Sequence, residues 1–154
     1  MTKRQEFTVL KTYPGFEIRE YKPCVIAEVK SSADYSDAGS SAFGSLFSYI
    51  SKGNKAEQAI AMTAPVITAK RFDNLTEDEW FVSFVMPAGS TLANMPLPIN
   101  SKVVLRELGA EICVAASFRG KATTALSAQK ITALRAAAEK QNVALSQEVR
   151  VARF

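Results

Sequence analysis

The residues with the most unusual chemistry for their context lie between Ser41 and Lys52 and on the string Ile60-Ala61-Met62-Thr63-Ala64-Pro65-Val66. At helical spacing Ser41, Gly44, Ser45 and Ser48 fall on the face opposite an apolar stripe, and Lys52 closes the run. A solvent-facing helix surface normally carries Lys, Arg and Glu, as the later stretch with Lys130, Arg135 and Glu139 does. Serine and glycine form helix less well, so this choice costs stability. In return it lets another body come close to the backbone. That body is either a flat ligand or a packed neighbour such as a loop. In the second string Met62 offers a soft apolar contact, which by itself reads as a core residue, and Pro65 should end or bulge a strand.

Most catalytic chemistry is excluded. The sequence has no histidine, which removes Ser-His-Asp, Cys-His and histidine-metal arrangements. No glycine-rich phosphate cradle stands between a strand and a helix. The carboxylates of Glu77-Asp78-Glu79 fall in a polar turn where nothing would raise a pKa. Cys24 and Cys113 are too few for a disulfide framework and too far apart for a zinc motif. Each sits in an apolar run and reads as a buried core thiol in a reducing cytoplasm. No enzyme activity and no metal site are expected. The net charge of +4 favours anionic partners. The densest basic group, Lys52, Lys55, Lys70 and Arg71, lacks the interleaved aromatics of a nucleic-acid platform.

These residues need a scaffold. A chain of 154 residues, 47% hydrophobic and 22% charged, suits one globular domain. No apolar stretch approaches the roughly 20 residues of a membrane helix, and no apolar signal core follows the charged N-terminus. Phe16 to Tyr21 alternates at period two and predicts a half-buried strand, and a second extended run starts at Cys24. Ser36-Asp37 is placed to cap a helix whose stripe is Phe43, Leu46, Phe47 and Ile50, with Gly53-Asn54 as its stop. Ile60 to Thr68 and Trp80 to Met86 read as two further strands.

After the Pro-rich loop Pro87 to Asn100 the pattern starts again. Val103 to Leu108 repeats the earlier strand, and Ile112 to Phe118 matches the run from Cys24. Ser127 is placed to cap a second helix with Ile131, Leu134 and Ala138 inward, ending near Asn142. Val149 to Ala152 then stands where Ile60 to Thr63 stood. Cys113 follows Cys24 at the same distance as Ser127 follows Ala38. The expectation is a single domain over 1–154 with an internal duplication, roughly 16–86 and 103–154. The second copy has no counterpart of Trp80 to Met86, which would leave an open sheet edge.

Tyr13-Pro14-Gly15-Phe16-Glu17-Ile18-Arg19-Glu20-Tyr21, the helix from Phe43 to Ile50 with Gly53-Asn54-Lys55, Met62-Thr63-Ala64-Pro65-Val66, and Trp80 to Met86 with Pro87-Ala88 together resemble the SOUL haem-binding protein family. The resemblance implies an α+β fold, a distorted antiparallel β-barrel of two pseudo-symmetric halves with one helix each, related to effector-binding-domain folds. It also implies reversible, non-covalent binding of haem or another tetrapyrrole along the first helix, for buffering or hand-over. Carried onto this chain, Phe43, Phe47 and Met62 would be apolar neighbours, Gly44 and Ser48 the close-approach surface, and Lys52 or Lys55 the partners of carboxylates. The family usually has a further Pro- and aromatic-rich segment and a last strand, which this sequence does not show, and histidine ligation is not available.

Two other functions remain open from sequence. One is a general effector-binding module for small amphipathic molecules. The other is an interaction protein that completes its sheet with another chain, including a second copy of itself. Neither nucleic-acid binding nor membrane insertion is expected.

Overall fold

From Phe16 onward most strands and helices fall close to where the hydrophobic periods put them, while the strands at Lys3–Arg4 and Phe7–Tyr13 were not predicted. A computed structural model describes residues 3–31, 35–70, 80–121, 124–146 and 148–154. In chain order its elements are β1 (Lys3–Arg4), β2 (Phe7–Tyr13), β3 (Phe16–Tyr21), β4 (Cys24–Ser31), α1 (Tyr35–Ile50), β5 (Thr63–Lys70), β6 (Trp80–Val85), β7 (Val104–Leu108), β8 (Glu111–Ala115), α2 (Thr124–Lys140) and β9 (Val149–Arg153). The turn with Glu77-Asp78-Glu79, and Arg71, lie outside the described residues.

The chain is α+β with two sheets. The larger runs β1-β5-β6-β4-β7, with β9 also on β5, and the smaller runs β2-β3-β8. All pairings are antiparallel except β1 with β5. Among the described residues the sheets do not join into a closed barrel. The order strand, strand, helix, strand occurs twice, as β3-β4-α1-β5 and β7-β8-α2-β9. The two runs pair crosswise, β3 with β8 and β4 with β7. Within the first, β6 pairs with both β4 and β5. No described strand lies in the corresponding place between β8 and β9. There Arg150 of β9 reaches Glu111 of β8 with two bonds of 3.1 and 2.7 Å. Burial works against the Arg150 charge, but the bonds to Glu111 and Glu148 outweigh it and raise its pKa.

Alternation along β4 divides the core. Val25, Ala27 and Val29 face α1 and pack with Val82, Phe84 and Met86, while Ile26 faces the other way with Ile67, Ala69 and Val85. The inward residues of α1 are Ala42, Leu46, Tyr49 and Ile50. Those of α2 include Ser127 and Ala138, with Ile131 and Leu134 only half-buried.

Several elements depart from expectation. The helix predicted to start after Ser36-Asp37 begins at Tyr35, so those residues form its first turn rather than its cap. Ser127 likewise lies inside α2, because Ala125 and Leu126, good helix formers, continue the helix upstream to Thr124. Residues 60–62 precede β5 rather than joining it. Ile60 N–H instead donates to the Ile50 carbonyl at 2.8 Å, and Ala59 bridges Ser51, which holds this segment against the end of α1. Pro65 produces the expected bulge, a register shift between Thr63 and Val66. Cys24 and Cys113 are half-buried rather than fully buried. Burial is the main cause that pushes both thiols up, which keeps them protonated and poorly nucleophilic at neutral pH.

Candidate functional site

The sequence placed Phe43, Leu46, Phe47 and Ile50 on one apolar stripe, and the structure splits it. Leu46 and Ile50 are buried, whereas Phe43 is 40% and Phe47 51% exposed. Inward positions of a helix lie three to four residues apart, and Ala42 and Tyr49 occupy that direction together with Leu46. The two phenylalanines are thereby turned onto the flank and the outer surface. Tyr49 was not legible as core because of its hydroxyl, which donates to the Pro96 carbonyl at 2.7 Å and so is satisfied.

The outer surface of α1 carries two aromatic rings among small residues. The Phe43 and Phe47 rings lie 6.0 Å apart at 14°, nearly parallel. Phe43 is fixed from beneath by an edge contact, 5.2 Å, with the buried ring of Phe84. Gly44 and Ser48 are exposed beside the rings and Ser45 is half-exposed. Nothing lies within 4 Å of a Cβ placed on Gly44, so the surface there is open. The Ser41 side chain lies outside the described ones.

The helix ends in a reversal that places the two lysines. Ser51 N–H donates to the Phe47 carbonyl at 3.0 Å and Gly53 N–H to the Ser48 carbonyl at 2.8 Å, while Lys52 takes the left-handed conformation with φ 76. The sequence placed the stop at Gly53-Asn54; the left-handed residue is Lys52. Glycine is needed at the next position for room, since a Cβ on Gly53 would strike the Ser48 carbonyl and lie 2.9 Å from its Oγ. α2 ends in the same pattern, with Asn142 at φ 59 and Val143 N–H donating to the Ala138 carbonyl at 3.0 Å.

Asn54, fully buried, anchors the segment beyond. Its Nδ2 donates to the Tyr49 carbonyl at 3.0 Å and the Gln58 carbonyl at 2.8 Å, and its Oδ1 accepts from Gln58 N–H at 3.0 Å. Lys52 and Lys55 flank it and are exposed. Both follow the negative end of the α1 dipole, where cations are favoured.

The structure brings Phe43, Gly44, Phe47 and Ser48 together on one surface with Lys52 and Lys55 past its C-terminal end. Met62 is half-buried and packs against the core that α1 covers. A shallow hollow of about 390 Å³ lies between residues 58–61 and 87–96, and none of the seven candidate residues lines it.

The arrangement can hold a flat apolar molecule against the rings and meet carboxylates at the lysines. Four donors for a metal ion are not gathered here, and among the described residues no group of three or more Cys, Asp or Glu could hold one. No helix of the described residues is long and apolar enough to cross a membrane.

Residues 2–154 match the model of the SOUL heme-binding protein family. No curated protein matches the chain.

Proposed function

Because the chain belongs to the SOUL haem-binding protein family, we propose that it binds haem or a related tetrapyrrole reversibly on the outer surface of α1. The observation that carries this reading is the half-exposed, nearly parallel pair Phe43 and Phe47. Large apolar rings left in water by a helix that buries its other face mark an interaction surface. The residues present fit such a group: the rings take its plane, Gly44 and Ser48 let it approach, and Lys52 or Lys55 meets its propionates.

With no histidine in the chain, the surface supplies contact and charge rather than imidazole ligation. When bound, haem brings its own redox and ligand chemistry. The protein's part is to shield one face of the ring and hold its acidic edge. A ligand lying on an open helix surface keeps its other face in water, so apolar burial is incomplete and release is rapid. Such binding suits buffering or hand-over better than a permanent prosthetic group. The repeated order of elements and the shared helix ending support reading 16–86 and 103–154 as duplicated units, of which only the first carries the aromatic surface.

Hemin titration tests the proposal. The Soret band should move and saturate near one hemin per chain, and a spectrum that is the sum of free hemin and protein rejects it.

A second reading rests on the edges of β8 and β9 that face the place occupied by β6 in the first half. Ile112 of β8 is 65% exposed and Phe154, just past β9, is 69% exposed. Strand addition from another chain would cover such edges and extend the sheets toward a barrel. It predicts a concentration-dependent dimer or complex by light scattering, and a monomer at all concentrations up to about 10 mg/ml would remove self-association as the means.

A further inference from the structure

The surface on α1 continues beyond the helix onto a segment that the Pro-rich loop contributes. Lys55 N–H donates to the Leu97 carbonyl at 2.9 Å and Ile99 N–H to the Gly53 carbonyl at 3.3 Å. These bonds bracket the antiparallel bridge Asn54–Pro98. In such a pair the two bridged residues point to one side and their neighbours to the other. Asn54 is fully buried, so its side is the inner one. Lys55, Leu97 and Ile99 therefore share the outer side, with Lys55 opposite Leu97 and Gly53 opposite Ile99.

Their exposure agrees. Leu97 is 60% and Ile99 66% exposed, and Lys55 is exposed. Branched aliphatics are not held in water by local flexibility here, because the Tyr49 hydroxyl bond to Pro96 and the two bridge bonds fix the segment on both sides. The ribbon is also continuous with the helix surface. Gly53 lies opposite Ile99 in the bridge, and on its side-chain side it abuts the carbonyl and Oγ of Ser48, the residue next to Phe47, so the ribbon meets the end of α1 at Ser48.

We propose that Leu97 and Ile99 form the second apolar wall of the α1 site and that Lys55, set between them and the helix end, is the partner of the ligand's carboxylate. This rests on the tetrapyrrole reading and adds the residues that would orient the molecule. The occupant is a flat amphipathic acid, apolar over most of its area and anionic at one edge. Charge complementarity decides this, since the apolar surface ends at Lys52 and Lys55. A pre-formed wall costs little ordering on binding.

Protoporphyrin IX and its dimethyl ester, followed by fluorescence, separate the contributions. Leu97→Ser with Ile99→Ser should weaken protoporphyrin IX by about tenfold to a hundredfold, from the apolar area lost, with the melting temperature unchanged. Lys55→Met should weaken the free acid severalfold and leave the ester unaffected. Phe47→Ser serves as the control. If Phe47→Ser weakens binding while the Leu97/Ile99 variant binds as wild type, the second wall is wrong and the helix site stands. Equal loss of acid and ester in Lys55→Met rejects the carboxylate role. No binding of either compound by the wild-type chain would remove both the helix site and its extension.

Discussion

A Phe47→Glu variant should lose hemin affinity by about a hundredfold while melting within a few degrees of the wild-type chain. The loss has two sources: a half-exposed ring that the ligand would cover is gone, and a carboxylate now faces the same apolar surface and the acidic edge of the ligand. The retained stability follows because Phe47 is 51% exposed and its contact is with Phe43 on the surface, not with the core. Surface substitutions of this kind usually change stability by about 0.5 kcal/mol or less. Leu46 is one position away and fully buried, so Leu46→Glu would unfold the protein and says nothing about the site. Melting and titration of Phe47→Glu measured together tell the two situations apart. A variant that binds hemin as tightly as wild type would show that the rings are not the contact surface.

The second large effect concerns Asn54. Asn54→Ala should destabilise the chain by about 2–4 kcal/mol and lower its melting temperature by roughly 5–15 °C. Deleting the side chain leaves the Tyr49 carbonyl short of a partner at a buried bond, and the Gln58 carbonyl and N–H short of partners at part-buried ones. Buried groups left without partners cost more than the bonds themselves contribute. The same residue fixes the segment that carries Lys52 and Lys55, so hemin affinity should fall as well, even at temperatures where the variant is folded. Differential scanning calorimetry gives the first quantity. A melting temperature unchanged by the substitution would mean that the region beyond α1 is held by something other than this network.

The strands were the most legible part of the fold. Phe16 to Tyr21 alternates cleanly, and β3 has those bounds. Trp80 to Met86 lacks alternation because both faces of β6 are covered, by α1 on one side and the second core cluster on the other, and the strand ends one residue earlier, at Val85. The end of α1 was legible too, through Gly53-Asn54. Its left-handed residue was not, since nothing in the identity of Lys52 marks it.

The facing of α1 was read wrongly for a physical reason. Phe43 and Phe47 share helical spacing with Leu46 and Ile50, and hydrophobicity alone counts all four as core. The competing inward residues are Ala42, small enough to be passed over, and Tyr49, polar at its tip. Asn54 was legible as part of the helix stop but not as an anchor, since a buried amide is defined by the carbonyls around it. Leu97 and Ile99 were legible as residues but not as a surface, because the bridge to Gly53–Lys55 joins segments far apart in the chain.

Mapping amide resonances in the presence of protoporphyrin IX tests the central claim most directly. The account predicts that the resonances of Phe43 to Lys55 shift or broaden, together with those of Leu97 and Ile99, while α2 and β8 remain unmoved. Perturbations confined to α2 and the edges of β8 and β9, with Phe43 to Lys55 silent, would contradict it.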